Sequence, residues 1–485
     1  MSQAVAPSTD AQNTIASELF SSPALTGAVD TIVDEVKAAS AKITGVRGPI
    51  EGRTDGYEAF MKKAGAMRGR PLFYPYVGSG AGNGIYVELD DGSVKIDLIG
   101  GIGYTPFGHA HPELVRAAVT GAIEDNLKHG NLQSTKAAFE FGETLLNFAR
   151  RQSNLEHVFI SAGGALANEN AIKICYQKHA PASRVIAFKH CFMGRTVTMS
   201  QIGDSAGNRQ GIPLSTLVDY MGFWNDEAAE KVGGKDAFIA HECWRLKELI
   251  TRYPKQHACF IFELVQGEGG FTTAPREYYT ALMDICKENN IAVWADEVQS
   301  FGRTEQMFAF EHFDLGEYVD VVTVGKSTQA CATLYTGKYN PKPGLLSGTF
   351  MGATPEFTAG KRVLEMMESE GLYGPDGLAA KHYKAFCDHV EALKAKHPDW
   401  FPEVPFITGH AGGIGGMIRF TPFGGEKAKV GKLTKVMFDE GLIGFYNGHG
   451  PFHVRFLPPL GCMKTEDWGP VFEIIERSMA KVAAG

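Results

Sequence analysis

Short apolar runs that end abruptly in polar residues recur along the middle of the chain. They are rich in β-branched and aromatic residues and read HVFIS at 157–161, RVIAF at 184–188, ACFIFEL at 258–264, IAVWADE at 291–297 and VDVVTVGK at 319–326. A continuous apolar run without polar alternation is typical of a strand that is buried on both faces of a parallel sheet. The pattern therefore predicts an α/β fold with a mostly parallel central sheet.

Segments on either side of these runs show other periodicities. The apolar positions between Glu277 and Asn290 follow helical spacing after Pro275, which predicts an amphipathic helix. Two short segments, Tyr86–Leu89 and Val94–Leu98, flank an Asp-Gly pair and predict a β-hairpin. The glycine-rich stretch before this hairpin precedes a strand, whereas glycines that cradle a dinucleotide follow one.

The last third of the chain predicts a second, smaller α+β domain. Two helical segments, 356–370 and 380–396, precede a glycine-rich approach to a strand and a further strand that contains a single arginine. We expect an N-terminal segment and part of the small domain at 1–104, a large domain at 105–352, and a C-terminal small domain at 353–485.

Two of the apolar runs end in residues with useful chemistry. Asp296 closes one run and Lys326 follows another, and parallel strands deliver such residues to the same rim of a sheet. A lysine and a carboxylate in this arrangement suit an aldehyde cofactor with a pyridine ring, which needs an amine partner and an anion at the ring nitrogen. The alternative is that Asp296 caps a loop and Lys326 is a solvated surface residue.

The residues around this pair carry a close resemblance to a known family. The motifs are Ala295-Asp296-Glu297-Val298-Gln299, Phe301-Gly302-Arg303-Thr304 and Val324-Gly325-Lys326. Together they resemble the signature of class III (omega) aminotransferases, which depend on pyridoxal 5'-phosphate and share fold type I. The resemblance implies that Lys326 is the Schiff-base lysine and that Asp296 pairs with the pyridine nitrogen. It also implies that Val298 packs on the ring and that Gln299 approaches the ring hydroxyl.

A glycine turn between a strand and a helix is the expected phosphate site. Gly163, Gly164 and Ala165 follow HVFIS, and backbone N–H groups at a helix start bind anions well. The family usually has a hydroxyl residue here, so this variant must use backbone groups. The version found here, like the segment Gly325 to Cys331, is closest to lysine 6-aminotransferases.

Further cofactor contacts are implied by the same resemblance. Phe192 corresponds to the aromatic residue that stacks on the cofactor, although Met193 stands where the family has histidine, and Phe192 as a plain core aromatic stays an alternative. Glu263 is placed among the cofactor-binding residues. Thr349 resembles the threonine that reaches the phosphate of a neighbouring subunit, which implies a homodimer with shared active sites.

Three residues are expected to contact the substrate. Arg195 is a candidate anchor for a carboxylate, because its planar guanidinium binds carboxylates through two bonds. Glu268 resembles the switch glutamate of omega-aminotransferases, and Arg455 the arginine that binds the substrate carboxylate. An arginine in an apolar segment needs either an acidic neighbour or an incoming anion.

The expected activity is transfer of a terminal amino group from a diamino acid such as L-lysine or ornithine to 2-oxoglutarate. Alternatives are a pyruvate-linked omega-amino acid or diamine aminotransferase, a glutamate-1-semialdehyde aminomutase, and a binding protein without catalysis. Retention of both Asp296 and Lys326 argues against the last alternative.

Composition restricts the possible binding partners and the cellular compartment of the protein. A net charge of −8 over 485 residues argues against nucleic acid, and the sequence has no apolar run long enough to span a membrane. The start of the chain does not resemble a secretory signal, and the 8 cysteines are scattered. We interpret all of the cysteines as structural and expect a cytoplasmic protein. His109 and His111 have no third ligand at a suitable spacing, so no metal site is predicted.

Overall fold

The computed structural model describes residues 13–407 and 409–485, so the first twelve residues of the predicted N-terminal segment lie outside the described part. The strands are β1 Gly78–Asn83, β2 Tyr86–Leu89, β3 Val94–Asp97, β4 Lys128–His129, β5 Leu155–Ser161, β6 Arg184–Phe188, β7 Leu217–Met221, β8 His257–Phe262, β9 Ala292–Glu297, β10 Val321–Val324, β11 Cys331–Thr336, β12 Gly352–Ala353, β13 Ala411–Ile414, β14 Met417–Phe420, β15 Leu442–Ile443, β16 Phe445–Gly448 and β17 Phe452–Phe456. The helices are α1 Ile15–Phe20, α2 Pro23–Ser40, α3 Thr54–Arg68, α4 Gly100–Gly103, α5 Pro112–Ala122, α6 Lys136–Ala149, α7 Gly164–His179, α8 Val197–Ile202, α9 Ala206–Arg209, α10 Asp226–Lys231, α11 Lys235–Arg252, α12 Arg276–Glu288, α13 Ala309–His312, α14 Thr354–Ser369, α15 Leu378–Lys396, α16 Lys427–Asp439 and α17 Trp468–Ala483.

The predicted apolar runs form one central sheet. Its strand order is β5-β11-β10-β9-β8-β6-β7. The pairs β10/β9, β9/β8, β8/β6 and β6/β7 are parallel, whereas β11 runs antiparallel to both of its neighbours. Every residue of β8, β9 and β10 is buried, because the sheet is covered on both faces. The prediction of an α/β fold with a mostly parallel sheet is confirmed.

A second region contains smaller sheets. Strands β13-β14-β17-β16 form an antiparallel sheet that packs with α15, α16 and α17 around a separate apolar core. The predicted hairpin β2/β3 is present, and β15 from the C-terminal part pairs parallel to β3. The N-terminal hairpin is thus completed by a strand from the end of the chain.

Helix α14 connects the two regions. It follows the domain boundary predicted at 352/353, yet its side chains Phe357, Val363 and Leu364 belong to the apolar core of the central sheet. Its partners are α5 and α6. The division into domains stays a prediction.

Candidate active site

Asp296 and Lys326 lie at the same rim of the central sheet. Asp296 is in β9 and pairs with Thr323 of the parallel neighbour β10, and Lys326 follows β10 after one glycine. Lys326 has a φ of 53°, a left-handed conformation that is uncommon for a side-chain-bearing residue. Both residues line a cavity of about 210 Å³ at the carboxyl ends of the parallel strands. The sequence predicted this meeting point.

Asp296 is held by an amide network. Its side chain is 6% exposed, and its two oxygens accept hydrogen bonds from Asn168 Nδ2 at 2.7 Å and from the Val298 N–H at 3.0 Å. Burial raises the pKa of Asp296, and the hydrogen bonds oppose that shift. Asn168 Nδ2 also donates to the Met193 carbonyl at 2.8 Å, so both N–H groups of this amide are engaged.

The amino group of Lys326 is near this carboxylate and is only weakly hydrogen-bonded. Its Nζ donates to the Val298 carbonyl at 3.4 Å, which is a weak hydrogen bond. Burial lowers the pKa of Lys326, while the negative charges of Asp296 and Glu268 act in the opposite direction. A buried amine with a lowered pKa is a better nucleophile than a surface lysine.

The glycine turn before α7 opens toward the same cavity. Gly163 is the N-cap residue and provides no side-chain cap, and Gly164 and Ala165 line the cavity. The first N–H groups of a helix have no acceptor within it, so this end of α7 can bind an anion. A Cβ atom on Gly164 would lie 2.6 Å from Val298 Cγ1, so only glycine allows this close packing.

Glu263 ties two of the cavity walls together. Its carboxylate oxygens accept from the Phe192 N–H at 2.8 Å and from the Gly267 N–H at 3.1 Å. Burial, followed by the charge of Asp296, raises the pKa of Glu263 to about 8. Phe192 and Met193 both line the cavity, and Met193 also belongs to a buried apolar cluster.

Glu268 and Arg455 form an ion pair next to this cavity. The distance from Glu268 Oε1 to Arg455 Nη2 is 2.7 Å, with Arg455 fully buried and Glu268 27% exposed. Arg455 Nη1 also lies 3.5 Å from Gln299 Oε1, and Gln299 lines the cavity. The buried arginine therefore has an acidic neighbour whose side chain is accessible to an incoming molecule.

Two predicted site residues lie elsewhere in the single chain. Thr349 is exposed in the loop after β11 and does not line the cavity. Arg195 is also exposed, with its guanidinium carbon 5.4 Å from the centre of the Phe192 ring. Neither residue contacts Asp296 or Lys326.

The sequence model of the family described as aminotransferase class-III matches residues 72–479. The chain belongs to this family. Class-III aminotransferases depend on pyridoxal phosphate, so the predicted family, enzyme class and cofactor are confirmed. Among the helices that the structure describes, none has both the length and the apolar character to cross a bilayer.

Several relatives within and around this family are similar to the chain. A probable 4-aminobutyrate aminotransferase of Bacillus subtilis is 30% identical over 76% of this chain and 85% of its own length. A diaminobutyrate–2-oxoglutarate transaminase of Nocardia farcinica is 29% identical over 79% of this chain and 85% of its own. The structure of a lysine aminotransferase from M. tuberculosis superimposes with a TM-score of 0.71, covering 82% of this chain and 93% of that one at 23% identity. At that identity the superposition shows the common fold.

The cavity of this class-III aminotransferase fits the cofactor that its family uses. Its lining includes a carboxylate and an amine, the start of α7, and the side chains of Val298 and Phe192. Two positions of the cavity wall leave no room for a side chain. A Cβ atom on Gly194 would lie 2.6 Å from the Ala165 Cβ, and a Cβ atom on Gly267 would lie 2.3 Å from Gln299 Oε1. These polar groups around a narrow space match a planar ring with a phosphate.

Asn168 and Cys331 are among the cavity residues that the sequence analysis missed. Asn168 was read as part of a helix, and only its position one turn after the glycine turn could have indicated its role. Cys331 lines the same cavity as Lys326, a position that the interpretation of the cysteines as structural did not predict. It lies there because β11 runs back along β10 and brings its first residue to the rim.

Proposed function

We propose that this enzyme transfers the terminal amino group of an L-diamino acid to 2-oxoglutarate. The observation that carries the proposal is the Glu268–Arg455 ion pair, 2.7 Å long, beside the cavity that holds Asp296 and Lys326. A closed pair suits a donor whose reacting end bears no carboxylate. An accessible glutamate that can leave the arginine suits an acceptor with two carboxylates.

Different residues of the cavity would bind different parts of the cofactor. Asp296 would hold the ring nitrogen, Lys326 the aldehyde, and the N–H groups at 163–165 the phosphate. Val298 and Phe192 would pack on the ring faces, Gln299 would contact the ring hydroxyl, and Glu263 would fix the Phe192 loop. When bound, pyridoxal phosphate supplies an aldehyde that accepts an amine and a ring that withdraws electrons.

Lys326 Nζ is the proton carrier in this proposal. The lowered pKa of Lys326 leaves more of the amine neutral at working pH, so that Nζ can take a proton from the carbon that bears the substrate nitrogen. Asp296 is kept in place by Asn168 and the Val298 N–H, which fix the position of its negative charge. Its carboxylate would stabilise positive charge on the ring nitrogen of a bound cofactor.

Arg455 and Glu268 act as the dicarboxylate switch. With the donor present, the pair stays closed and the pocket presents little net charge to the substrate. With 2-oxoglutarate or glutamate, the incoming carboxylate replaces Glu268 on the guanidinium. Arg455 is held in place by β17 and by its contact with Gln299, so only the partly exposed Glu268 needs to move.

Arg195 and Thr349 complete the proposed site. Arg195, exposed beside Phe192, would bind the α-carboxylate of the donor. Thr349 is exposed away from its own cavity, which supports its delivery to the cofactor phosphate of a second copy in a homodimer. Reassociating Lys326→Ala chains with Thr349→Ala chains should then create one intact site per hybrid dimer and restore activity that neither variant shows at that level.

A donor screen on the holoenzyme tests the activity. The cofactor absorbance is followed after single additions of L-lysine, L-ornithine, acetylornithine, L-2,4-diaminobutyrate and 4-aminobutyrate, without acceptor. We expect a diamino acid to convert the cofactor fastest. L-Lysine is the first candidate by its motifs, and diaminobutyrate is supported by the names of relatives.

The acceptor assay separates the alternatives. We expect 2-oxoglutarate to restore the cofactor spectrum and pyruvate to do so poorly, because pyruvate has no second carboxylate for Arg455. Equal restoration by pyruvate would overturn the proposed acceptor. Conversion of glutamate-1-semialdehyde without any external oxo acid would identify an aminomutase instead.

A further inference from the structure

A second cavity, of about 550 Å³, lies behind the loop that carries Glu268. Gln266, Gly269 and Thr272 of this loop line the second cavity, whereas Gly267 and Glu268 line the active-site cavity. Loop 266–272 therefore separates the second cavity from the active-site cavity. Nothing in the proposed transamination uses the space behind it.

The deepest charged group of this second cavity is Arg419. It is 7% exposed, and its Nε donates to the Gly270 carbonyl at 3.2 Å while Nη1 donates to Thr421 Oγ1 at 3.0 Å. Its other recorded bond goes to the Gly409 carbonyl at 3.4 Å. Among residues 13–407 and 409–485, no carboxylate lies within 4.0 Å of its nitrogens.

The positive charge of Arg419 is buried and is not neutralised by a carboxylate of the described residues. Burial lowers the pKa of Arg419 to about 10, so the guanidinium is still positive at neutral pH. Removing one charge from water without an opposite charge nearby is costly, and carbonyl oxygens offset only part of that cost. Arg455, the buried arginine of the neighbouring strand β17, pairs with Glu268, whereas Arg419 in β14 has no acidic partner within the described part of the chain.

The remaining lining adds positive charge and flat surfaces. Lys189 is exposed at the edge of the cavity, and no aspartate or glutamate of the described chain lines it. His190 and His449 stack with ring centres 4.5 Å apart, and His453 lies deeper. Burial lowers the pKa of each of these histidines, so at neutral pH the charge comes from Arg419 and Lys189. Asp204, an acid close to the stack, accepts a hydrogen bond from the backbone N–H of His190 at 3.0 Å.

We propose that this second cavity is a binding site for a small organic anion whose carboxylate or phosphate group is held between Arg419 and Lys189. Among the described residues Nη2 of Arg419 has no hydrogen-bond partner, so its two N–H groups can donate charge-assisted bonds to either group. The stacked histidines and Trp224 offer flat apolar surfaces to the body of such a ligand.

Calorimetric titration of the pyridoxal-phosphate-loaded enzyme tests the site, with inorganic phosphate in one arm and citrate in the other. Loaded enzyme keeps phosphate out of the cofactor site. We expect saturable binding of at least one anion, weakened tenfold or more in Lys189→Gln and in Arg419→Lys, which keeps the charge and loses the planar fork. Binding of phosphate alone identifies a phosphate ligand, and binding of citrate alone a carboxylate.

Two control variants show whether a loss of anion binding is specific to the second cavity. Lys381→Gln removes an equally exposed lysine from α15 and should leave binding unchanged. Arg455→Met removes the arginine of the active site and should also leave it unchanged. Absence of saturable binding for both anions would overturn the proposal, as would binding that Arg455→Met removes and Lys189→Gln retains. Because Lys189 is exposed, its variant folds even if Arg419→Lys does not.

Discussion

Two charged pairs of this enzyme differ in how the fold brings them together. Asp296 lies in β9 and Lys326 follows the adjacent parallel strand β10 after one glycine, and β9 and β10 pair in register. Glu268 and Arg455 belong to different sheets, with Glu268 in a loop of the central sheet and Arg455 in β17 of the C-terminal sheet. Asp296 and Lys326 are thus positioned by a single sheet, whereas the Glu268–Arg455 ion pair joins the central sheet region to the C-terminal sheet.

This difference matches two kinds of chemistry. A proton transfer depends on tenths of an ångström, so its groups benefit from a continuous, fully buried sheet. A switch between two substrates needs one partner that can move, and a loop carboxylate that is 27% exposed can do so without disturbing either core. Variants at each pair should therefore fail in different ways.

The largest effect is expected at Lys326. Lys326→Ala removes the only amine that lines the cavity among the described residues, and transamination should fall by roughly 10³-fold or more. Single-turnover absorbance with a donor measures this loss. The exposed Lys342→Ala is the control, and comparable activity in both variants would contradict the role of Lys326.

Asp296→Asn should follow, with a loss on the order of 10²- to 10³-fold in kcat, because a fixed negative charge is removed from the end of the cavity. Binding of the cofactor, measured by equilibrium dialysis, should weaken as well. Glu297, which is buried next to it, accepts from the Ala309 and Phe310 N–H groups instead and faces away from the cavity lining. A loss of activity in Glu297→Gln with unchanged stability would break the assignment to Asp296.

Asn168→Ala should cost less, because it removes one hydrogen bond to a carboxylate and not the charge itself. A hydrogen bond to a charged group contributes about 1.5–3 kcal/mol, so kcat should fall roughly ten- to a hundredfold. Asn168→Asp places a second carboxylate 2.7 Å from Asp296 Oδ2 and should be worse than alanine. Equal activity of the wild type and Asn168→Ala would show that Asp296 needs no such support.

Glu268→Ala should separate the two half-reactions. It leaves Arg455 buried and uncompensated while the amine donor is bound, so the donor half-reaction should slow by about tenfold relative to the glutamate half-reaction. Stopped-flow absorbance measures each half separately. Glu268→Gln keeps the shape and serves as the matched control, and equal slowing of both halves would rule out the switch.

The smallest effect concerns stability in the absence of cofactor. The pKa of Glu263 is raised to about 8 in the folded protein, so folding favours its protonated form. Its contribution to the free energy of unfolding is complete below the ordinary glutamate pKa of about 4.3 and is lost as pH rises toward 8. Urea unfolding of the cofactor-free protein at about pH 5.5 and 8.5 should show a smaller fall in Glu263→Gln than in the wild type.

A second buried glutamate contributes a pH-dependent fall of its own in both proteins. Burial raises the pKa of Glu297 to about 8 as well, so part of the fall should persist in Glu263→Gln. The same fall in both proteins would show that Glu263 does not take up a proton on folding.

The sequence by itself determined the central strands, the rim where they end, and the placement of Asp296 and Lys326 on it. Continuous apolar runs specify buried strands through composition alone, and parallel strands bring their carboxyl ends to one edge. The motifs around these residues were specific enough to indicate the family and its cofactor. The ion pair between Glu268 and Arg455 was anticipated from the resemblance, and its length came from the structure.

Only the tertiary structure decided which distant groups support that rim. Asn168 lies 128 residues from Asp296 along the chain, and Cys331 reaches the cavity through an antiparallel return. Arg419 lies behind the loop of Glu268, and none of the residues that the structure describes gives it an acidic partner. The periodicity of a segment reflects its own burial. The identity of its neighbours depends on how separate segments pack, and no local pattern encodes that.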